Sequence, residues 1–172
     1  MRKDSVRSDT GFDSGLAPVI GRAPVLLILG SFPSRRSLEQ REYYAHPRNQ
    51  FWQILQTLFG IGRNLEYRVK IDDLIRNRIA LWDVIGACYR AGSADHRITG
   101  PSLNPVQQLQ TSCPTIRGIA CNGTTAARYV DRLGFLSNIR IIPLPSTSPA
   151  NTRFTIEEKT ERWAILKEII TP

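Results

Sequence analysis

The sequence is poor in the residues that build metal sites and disulfide frameworks. It contains three cysteines, Cys88, Cys113 and Cys121, and two histidines, His46 and His96. No two cysteines form a CxxC pair, which argues against a zinc ribbon, and three are too few for a four-cysteine iron–sulfur cluster within one chain. An odd number also argues against a disulfide framework. We therefore predict reduced thiols and no bound metal.

Signatures of cofactors and membrane segments are also missing. The sequence has neither a GxGxxG motif nor a P-loop, so no nucleotide cofactor is expected. Its apolar run at residues 25–29 is far shorter than the roughly 20 residues that a membrane-spanning helix needs. We expect a cytoplasmic protein that does not contact a membrane.

Lysine is scarce, although the chain is basic. The formal net charge is +8, and only four of the 23 basic residues are lysines. The planar arginine guanidinium suits phosphate oxygens, and the excess positive charge is spread along the chain. This pattern favours a basic folded surface with an anionic polymer as its partner. The alternative is that the charge only keeps the protein soluble.

The hydrophobic pattern predicts an α/β fold. Apolar runs at residues 25–29, 79–88, 117–123 and 139–145 are typical of buried strands. They alternate with helical patterns at 50–60, 67–78, 104–112 and 124–134, and a last helix opens at Thr155 with a capping box to Glu158. We predict three α/β/α layers around a four-stranded, mainly parallel sheet. Residues 1–20 are expected to form a flexible tail, and residues 21–172 a single domain.

Polar residues follow the predicted strands, at the edge of the sheet where such folds bind ligands. Two segments carry most of them. One reads GSFPSRRSLEQREYYAHPRNQFW over residues 30–52, and the other reads LPSTSPANTR over residues 144–153. Together they resemble the uracil-DNA glycosylase superfamily, and more closely its hypoxanthine-DNA (deoxyinosine) glycosylase branch. YYAHPRNQFW and LPSTSPAN, present together in this order, carry the resemblance, which extends over residues 25–166.

The resemblance implies a function. It implies a monofunctional DNA-repair glycosylase that flips a deaminated base, hypoxanthine or uracil or both, out of double- or single-stranded DNA. Hydrolysis of the N-glycosidic bond then leaves an abasic site. The resemblance also implies a uracil-DNA-glycosylase-like fold. We further expect a monomer without a cofactor, associated with the nucleoid through DNA.

Asn49 is the candidate catalytic residue. Taken without the family, an Asn just before a helix is commonly its N-cap. In the hypoxanthine-DNA glycosylase branch the Asn of the HPRN motif is catalytic, and Asn49 occupies that position. Because negative charge develops on the departing base, a side-chain amide can donate to the base and accept from the attacking water. Phe32 stands where the mismatch-specific branch places an Asn, which argues against that branch.

Six further residues are candidates for binding the base, each with a structural alternative. The GSFPS turn either presents backbone amides to a ligand or simply ends a strand. Phe32 and Tyr44 either stack on a flipped base or belong to the core. Asp83 binds the base, orients water or is a structural carboxylate. Asn122 either faces an anion at a helix start or only caps the helix. The candidates are Gly30, Ser31, Phe32, Tyr44, Asp83 and Asn122.

The second motif implies contacts with the DNA backbone. In the family, the loop that LPSTSPAN resembles clamps the backbone and supports the gap left by the flipped base, and small hydroxyl residues let the main chain approach phosphates. The familiar form has a His before the Pro and a bulky wedge after it, whereas this chain has Leu144 and Ser148. Without the family, the stretch is a Pro-rich surface loop. Candidate DNA contacts are His46, Arg48, Ser146, Thr147, Ser148 and Arg153.

A base pocket is expected at the carboxyl edge of the sheet, with the 144–153 loop at its mouth. We predict that Ser31, Phe32, Asn49, Asp83 and Ser146 surround it, because each lies in or near a turn at this edge.

Two other functions compete with the glycosylase. A non-catalytic nucleic-acid-binding domain would keep the basic surface and use Asn49 as a helix cap. A small-molecule hydrolase would use Ser31 or Ser146 with His46, but neither serine lies in a GxSxG motif. A glycosylase assay on damaged duplexes separates the binding domain from the enzyme.

Overall fold

Short apolar runs separated by polar and Gly- or Pro-containing loops form the strands and helices. The computed structural model describes residues 11–135 and 138–171. The strands are Phe12–Ser14 (β1), Leu26–Gly30 (β2), Ile79–Asp83 (β3), Ile85–Arg90 (β4), Ile98–Leu103 (β5), Gly118–Asn122 (β6) and Arg140–Leu144 (β7). The helices are Arg35–Gln40 (α1), Phe51–Phe59 (α2), Tyr67–Arg76 (α3), Val106–Ser112 (α4), Thr124–Leu133 (α5), Ile156–Trp163 (α6) and Lys167–Ile170 (α7).

A four-stranded sheet forms the centre of the fold. Its strands lie in the order β3-β2-β6-β7, and each neighbouring pair is parallel. Every residue of β2, β3 and β6 is buried, as expected for strands covered on both faces. β7 is an edge strand, where Pro143 is tolerated although it has no N–H for a ladder. The predicted α/β fold with four parallel strands is confirmed.

The central sheet divides the core into two parts, because successive side chains of a strand point to opposite faces. Leu26 and Ile28 of β2 pack with buried residues of α2, α3 and α6. Leu27 and Leu29 pack with buried residues of α4 and α5. The three predicted layers are present.

Helix ends agree with the local sequence signals. Gly60 ends α2 with φ 72°, a left-handed conformation that glycine adopts at little cost. Thr155 and Glu158 form the predicted capping box of α6: the Thr155 hydroxyl accepts from the Glu158 N–H, and the Glu158 carboxylate accepts from the Thr155 N–H. No helix in the ranges that the structure describes is long and apolar enough to span a membrane.

The single strand predicted over residues 79–88 is wrong, because the chain forms two strands there. β3 ends at Asp83, and β4 joins a second, antiparallel sheet in the order β1-β4-β5. Val84 and Ile85 stay buried and still donate N–H groups to the carbonyls of Gly30 and Ser31. Because burial continues through the break, the apolar pattern does not reveal it.

Two segments expected to be irregular are ordered. Residues 12–14 form β1, and Val19 pairs with Leu81 of β3, so this part of the expected tail packs on the domain; residues 1–10 lie outside the described residues. The loop after Gly30 contains α1, whose N-cap Ser34 accepts a hydrogen bond from the Ser37 N–H. Partners distant in the sequence stabilise β1, so the local pattern does not predict it.

Candidate active site

The carboxyl ends of the parallel strands bring the predicted polar residues to one edge. Gly30 of β2 lies beside Asp83 of β3, and Asn122 of β6 lies beside Leu144 of β7. The GSFPS turn and the 144–153 loop therefore begin at the same edge, as the topology predicted.

Hydrogen bonds join the two motif loops to each other. Gln50 donates its backbone N–H to the Thr147 carbonyl at 3.0 Å. The Asn122 amide pairs with Thr147 twice, accepting from its N–H at 2.9 Å and donating to its hydroxyl at 3.0 Å. Thr147 is fully buried, so its side chain supports the loop from within and does not offer a surface to DNA.

A buried lysine strengthens this junction, and the sequence did not signal it. The Lys159 ammonium, on α6, donates to the Gln50 side-chain oxygen at 2.7 Å and to the Asn151 carbonyl at 2.8 Å. Lys159 is 1% exposed, and burial lowers its pKa. Neither partner is a carboxylate, so the Lys159 ammonium binds only neutral oxygens. Through these two hydrogen bonds it connects the segment 46–50 with the loop 144–153.

Asn49 stands half-buried immediately before α2. Its side-chain oxygen accepts the Phe51 N–H at 3.0 Å, and its backbone N–H donates to the His46 carbonyl at 2.8 Å. Its side-chain nitrogen has no acceptor among the residues that the structure describes. The N-cap residue of α2 is Gln50, so Asn49 supports the helix start from one position earlier through its oxygen, while its N–H donors stay available to a ligand.

A polar cavity of about 230 Å³, which we call the Asn49 cleft, opens beside this residue. Among the residues that line it are Glu42, His46, Asn49, Trp52, Arg63 and Lys70. Tyr44, a base-binding candidate, also lines it. Of the five predicted pocket residues, Asn49 lines the cavity, whereas Ser31, Phe32, Asp83 and Ser146 do not. The expected single pocket around all five residues is therefore not formed by this cavity.

Asp83 and Tyr44 form a buried polar pair above Gly30. A Cβ at position 30 would overlap the Asp83 carboxylate and lie 3.0 Å from the Tyr44 hydroxyl, so the close approach requires glycine. Among the described residues, one carboxylate oxygen of Asp83 is buried without a hydrogen bond, and the buried Tyr44 hydroxyl makes none of normal geometry, although it lies close enough to Asn122 for a weak one. Burial, and secondarily Asp95, raises the pKa of Asp83 to about 7, while Arg90 opposes the shift. Near neutral pH this carboxyl can therefore donate a hydrogen bond as well as accept one.

Tyr44 is held in an unusual conformation. Its φ is 55°, in the left-handed region that non-glycine residues rarely occupy, and its ring stacks on Phe51 with centroids 3.9 Å apart. Burial and the neighbouring Asp83 hold the pKa of Tyr44 well above its ordinary value, and Asn122 opposes them. Its hydroxyl therefore keeps its proton and is a potential donor.

The GSFPS turn is supported by an arginine that the sequence did not single out. Phe32 is 6% exposed, and the Arg90 guanidinium lies 4.7 Å from the centre of its ring. Arg90 is also buried and donates to the Pro33 carbonyl. Because Phe32 packs in the buried core and Arg90 lies against its ring, the structure supports the core alternative for this residue and exposes no face for stacking on a base.

The remaining candidate DNA contacts lie at or near the surface. Arg48 and Arg153 are exposed, and His46, Ser146 and Ser148 are half-buried. The Ser146 hydroxyl accepts from the Ser148 N–H at 3.2 Å, which keeps the loop turned. Within residues 11–135 and 138–171, no three His, Cys, Asp or Glu side chains come together to hold a metal ion.

Comparison with known proteins identifies the family. The model of the Uracil DNA glycosylase superfamily matches residues 18–168. The chain is 36% identical over 159 residues to a protein of Methanosarcina acetivorans named Hypoxanthine DNA glycosylase, a match that covers 89% of this chain and 97% of the relative. A protein of the same name from Methanosarcina barkeri is 32% identical over 154 residues, with 87% and 94% covered.

A solved structure agrees with this match. The solution NMR structure of a candidate uracil DNA glycosylase from Methanosarcina acetivorans has 33% sequence identity and a TM-score of 0.78, and the match covers 92% of this chain and 98% of that one. The family match, the relatives and the shared fold lead to one conclusion: this chain belongs to the uracil DNA glycosylase superfamily.

Proposed function

We propose that the chain is a monofunctional DNA glycosylase that excises hypoxanthine or uracil, or both, from DNA and acts as a single-domain monomer. The half-buried amide of Asn49 carries the proposal. Its oxygen is fixed by the Phe51 N–H, and its nitrogen is without a partner among the described residues. A donor fixed in this way costs no reorganisation when charge develops on a departing base. The names of two relatives support hypoxanthine as the substrate.

In the proposed mechanism, the base is flipped out of the duplex and its glycosidic bond is hydrolysed. The Asn49 nitrogen donates to the base as the bond breaks and negative charge accumulates. The Asn49 oxygen, which has a second lone pair besides the one that accepts from Phe51, orients the attacking water. Neither step needs a metal ion.

Base recognition is assigned to the buried polar pair at the end of β2 and β3. Hypoxanthine offers a carbonyl and an adjacent N–H on one edge. A protonated carboxyl can donate a hydrogen bond to this carbonyl and accept one from this N–H. The raised pKa of Asp83 favours its protonated form. The buried Tyr44 hydroxyl supplies a further hydrogen-bond donor to the base. Gly30 leaves the space that both groups occupy.

The test is a panel of duplex and single-stranded oligonucleotides that carry one hypoxanthine, uracil or xanthine, with an undamaged control. Alkali cuts the strand wherever a base has been released. We expect strand cleavage at hypoxanthine and none in the control. A folded protein that releases no base from any of them would refute the proposal.

The second candidate is a DNA-binding domain without catalysis. The hydrogen bond from Phe51 to Asn49 favours it, because this bond gives Asn49 a purely structural use. In the same panel such a protein binds the duplexes and releases nothing.

A further inference from the structure

Two basic side chains, Arg63 and Lys70, line the Asn49 cleft. Arg63, in the loop between α2 and α3, and Lys70, on α3, both line it together with Asn49. Both belong to segments that carry no recognised motif.

Neither cation forms an ion pair with a carboxylate among the residues that the structure describes. The ion pairs among the described residues are Arg76–Asp73 and Arg140–Glu168. The Lys70 ammonium makes no hydrogen bond there and lies 5.3 Å from the centre of the Trp52 ring. Arg63 uses one nitrogen to donate to the Gln53 side-chain oxygen at 3.2 Å, which leaves its other side-chain N–H groups available.

The electrostatics of the cleft fit an anion. Burial lowers the pKa of Lys70, Glu42 opposes this shift, and Arg63 adds to it. Lys70 is thus close enough to Arg63 to be repelled by it, and an anion between the two cations would relieve the repulsion. Glu42, which affects the pKa of Lys70 more than Arg63 does, is the one carboxylate among the described residues that line the cavity, so two cations and one carboxylate leave this lining with excess positive charge.

His46 can add a donor to the same cavity. Its Nδ1 accepts the Arg48 N–H at 3.2 Å, so the neutral imidazole carries its proton on Nε2. This nitrogen has no acceptor among the residues that the structure describes.

The lining favours a phosphate over a base. A base would require an open aromatic face, but Trp52 is only 6% exposed, and the Lys70 ammonium lies over its ring. Phosphate oxygens, in contrast, accept from guanidinium, ammonium and imidazole N–H groups together.

We propose that the Asn49 cleft binds a backbone phosphate of the DNA strand that carries the excised base, through Arg63 and Lys70. This inference rests on the proposed function and extends it. Phosphate contacts set the register of the strand without reading its sequence. A contact at this place holds the damaged nucleotide at the Asn49 amide.

The first experiment measures the salt dependence of binding to a duplex with one hypoxanthine. Arg63→Gln, Lys70→Gln and the double variant are compared with the wild type. Arg68→Gln is the matched control, since Arg68 is exposed on α3 and does not line the cleft. Each lost phosphate contact should reduce the slope of log K against log salt by about 0.9. We expect both cleft variants to lose roughly tenfold in affinity at low salt, and the control to change by less than about twofold.

The second experiment locates the phosphate. A neutral methylphosphonate replaces one phosphate at a time on either side of the lesion, and binding of the wild type and the double variant is compared. At the contacted position the two losses should not add, because both changes remove the same interaction. Additive losses at every position would overturn the proposal, as would a double variant whose salt slope equals that of Arg68→Gln.

Excision assays separate this proposal from the proposed function. If the wild type excises hypoxanthine and the cleft variants keep its salt slope, only the phosphate site is refuted. If a folded wild type excises nothing, the proposed function fails. A double variant with an unchanged salt slope but no single-turnover excision would mean that the cleft serves the base or sugar, which also overturns the phosphate assignment.

Discussion

A pair of substitutions at Asn49 separates its two uses. The side-chain oxygen accepts the Phe51 N–H at 3.0 Å, and the side-chain nitrogen faces no acceptor in the described parts of the chain. Asn49→Ala removes both groups. Asn49→Asp keeps an oxygen for the Phe51 N–H but has no N–H to donate to a base. The Asp variant therefore tests the Asn49 side-chain N–H as a donor, while the Phe51 N–H keeps its hydrogen-bond acceptor.

The expected magnitudes differ for stability and catalysis. Loss of a hydrogen bond at the start of a helix costs about 1 kcal/mol, so Asn49→Ala should lower the free energy of unfolding by that amount. Asn49→Asp should cost less, because a carboxylate interacts favourably with a helix N-terminus. Loss of an oriented donor costs about 10²–10³ in rate, and the carboxylate also repels the charge that develops on the base. Both variants should therefore lose excision by at least this factor.

The assay is single-turnover excision from a hypoxanthine duplex with enzyme in excess, together with urea denaturation of each variant. Excision by Asn49→Asp near the wild-type rate would refute the donor role of the Asn49 nitrogen, because this variant keeps an oxygen that can orient water. A wild-type rate in folded Asn49→Ala would refute the catalytic assignment as a whole.

Three further predictions concern the junction around the site. Because the pKa of Asp83 is about 7 in the folded protein and its ordinary value is 3.8, the folded state binds more protons between these values and the wild type loses stability as pH rises through them. Asp83→Asn removes this loss. The unfolding free energy of the variant minus that of the wild type should therefore increase by on the order of 2–4 kcal/mol between pH 4 and pH 8, measured in urea titrations. Parallel curves of unfolding free energy against pH for the two proteins would contradict the raised pKa of Asp83. Gly30→Ala places a methyl group against the Asp83 carboxylate and should lower the free energy of unfolding by about 1–3 kcal/mol, measured in urea; an unchanged value would show that the carboxylate moves freely. Lys159→Met leaves the Gln50 oxygen and the Asn151 carbonyl without their shared donor and should cost about 2–4 kcal/mol, whereas a thermal melt equal to wild type would show that this link does not stabilise the fold.

Some elements were predictable because their causes are local. A strand buried on both faces needs an uninterrupted apolar run, and the runs that became β2 and β6 were recognised for this reason. The run that became β7 was also recognised as a strand, but its expected burial is wrong, because this edge strand exposes three of its five residues. The capping box at Thr155 and the stop at Gly60 depend on a few adjacent residues, and both are present. The break at Val84 depends on which strands the chain meets next, so the apolar run alone did not predict it.

The position of the candidate site was partly predictable. Parallel strands share one carboxyl edge, and the neighbouring positions of Gly30 and Asp83 follow from that rule once the strands are known. The role of Thr147 was not predictable from its motif, because its hydroxyl is buried against Asn122. The roles of Lys159 and Arg90 carried no signal, because a basic residue in a helix or strand is ordinarily a surface residue.

The sequence by itself determined the four parallel strands, the family and the place of Asn49 before a helix, because these depend on apolar runs and on motifs of adjacent residues. Only the tertiary structure decided which groups contact one another there. It buried Lys159 between Gln50 and Asn151, and it placed Arg63 and Lys70 in one cleft with Asn49. The bond from Lys159 to Gln50 joins residues 109 positions apart, and long-range packing, which no local pattern encodes, brings them together.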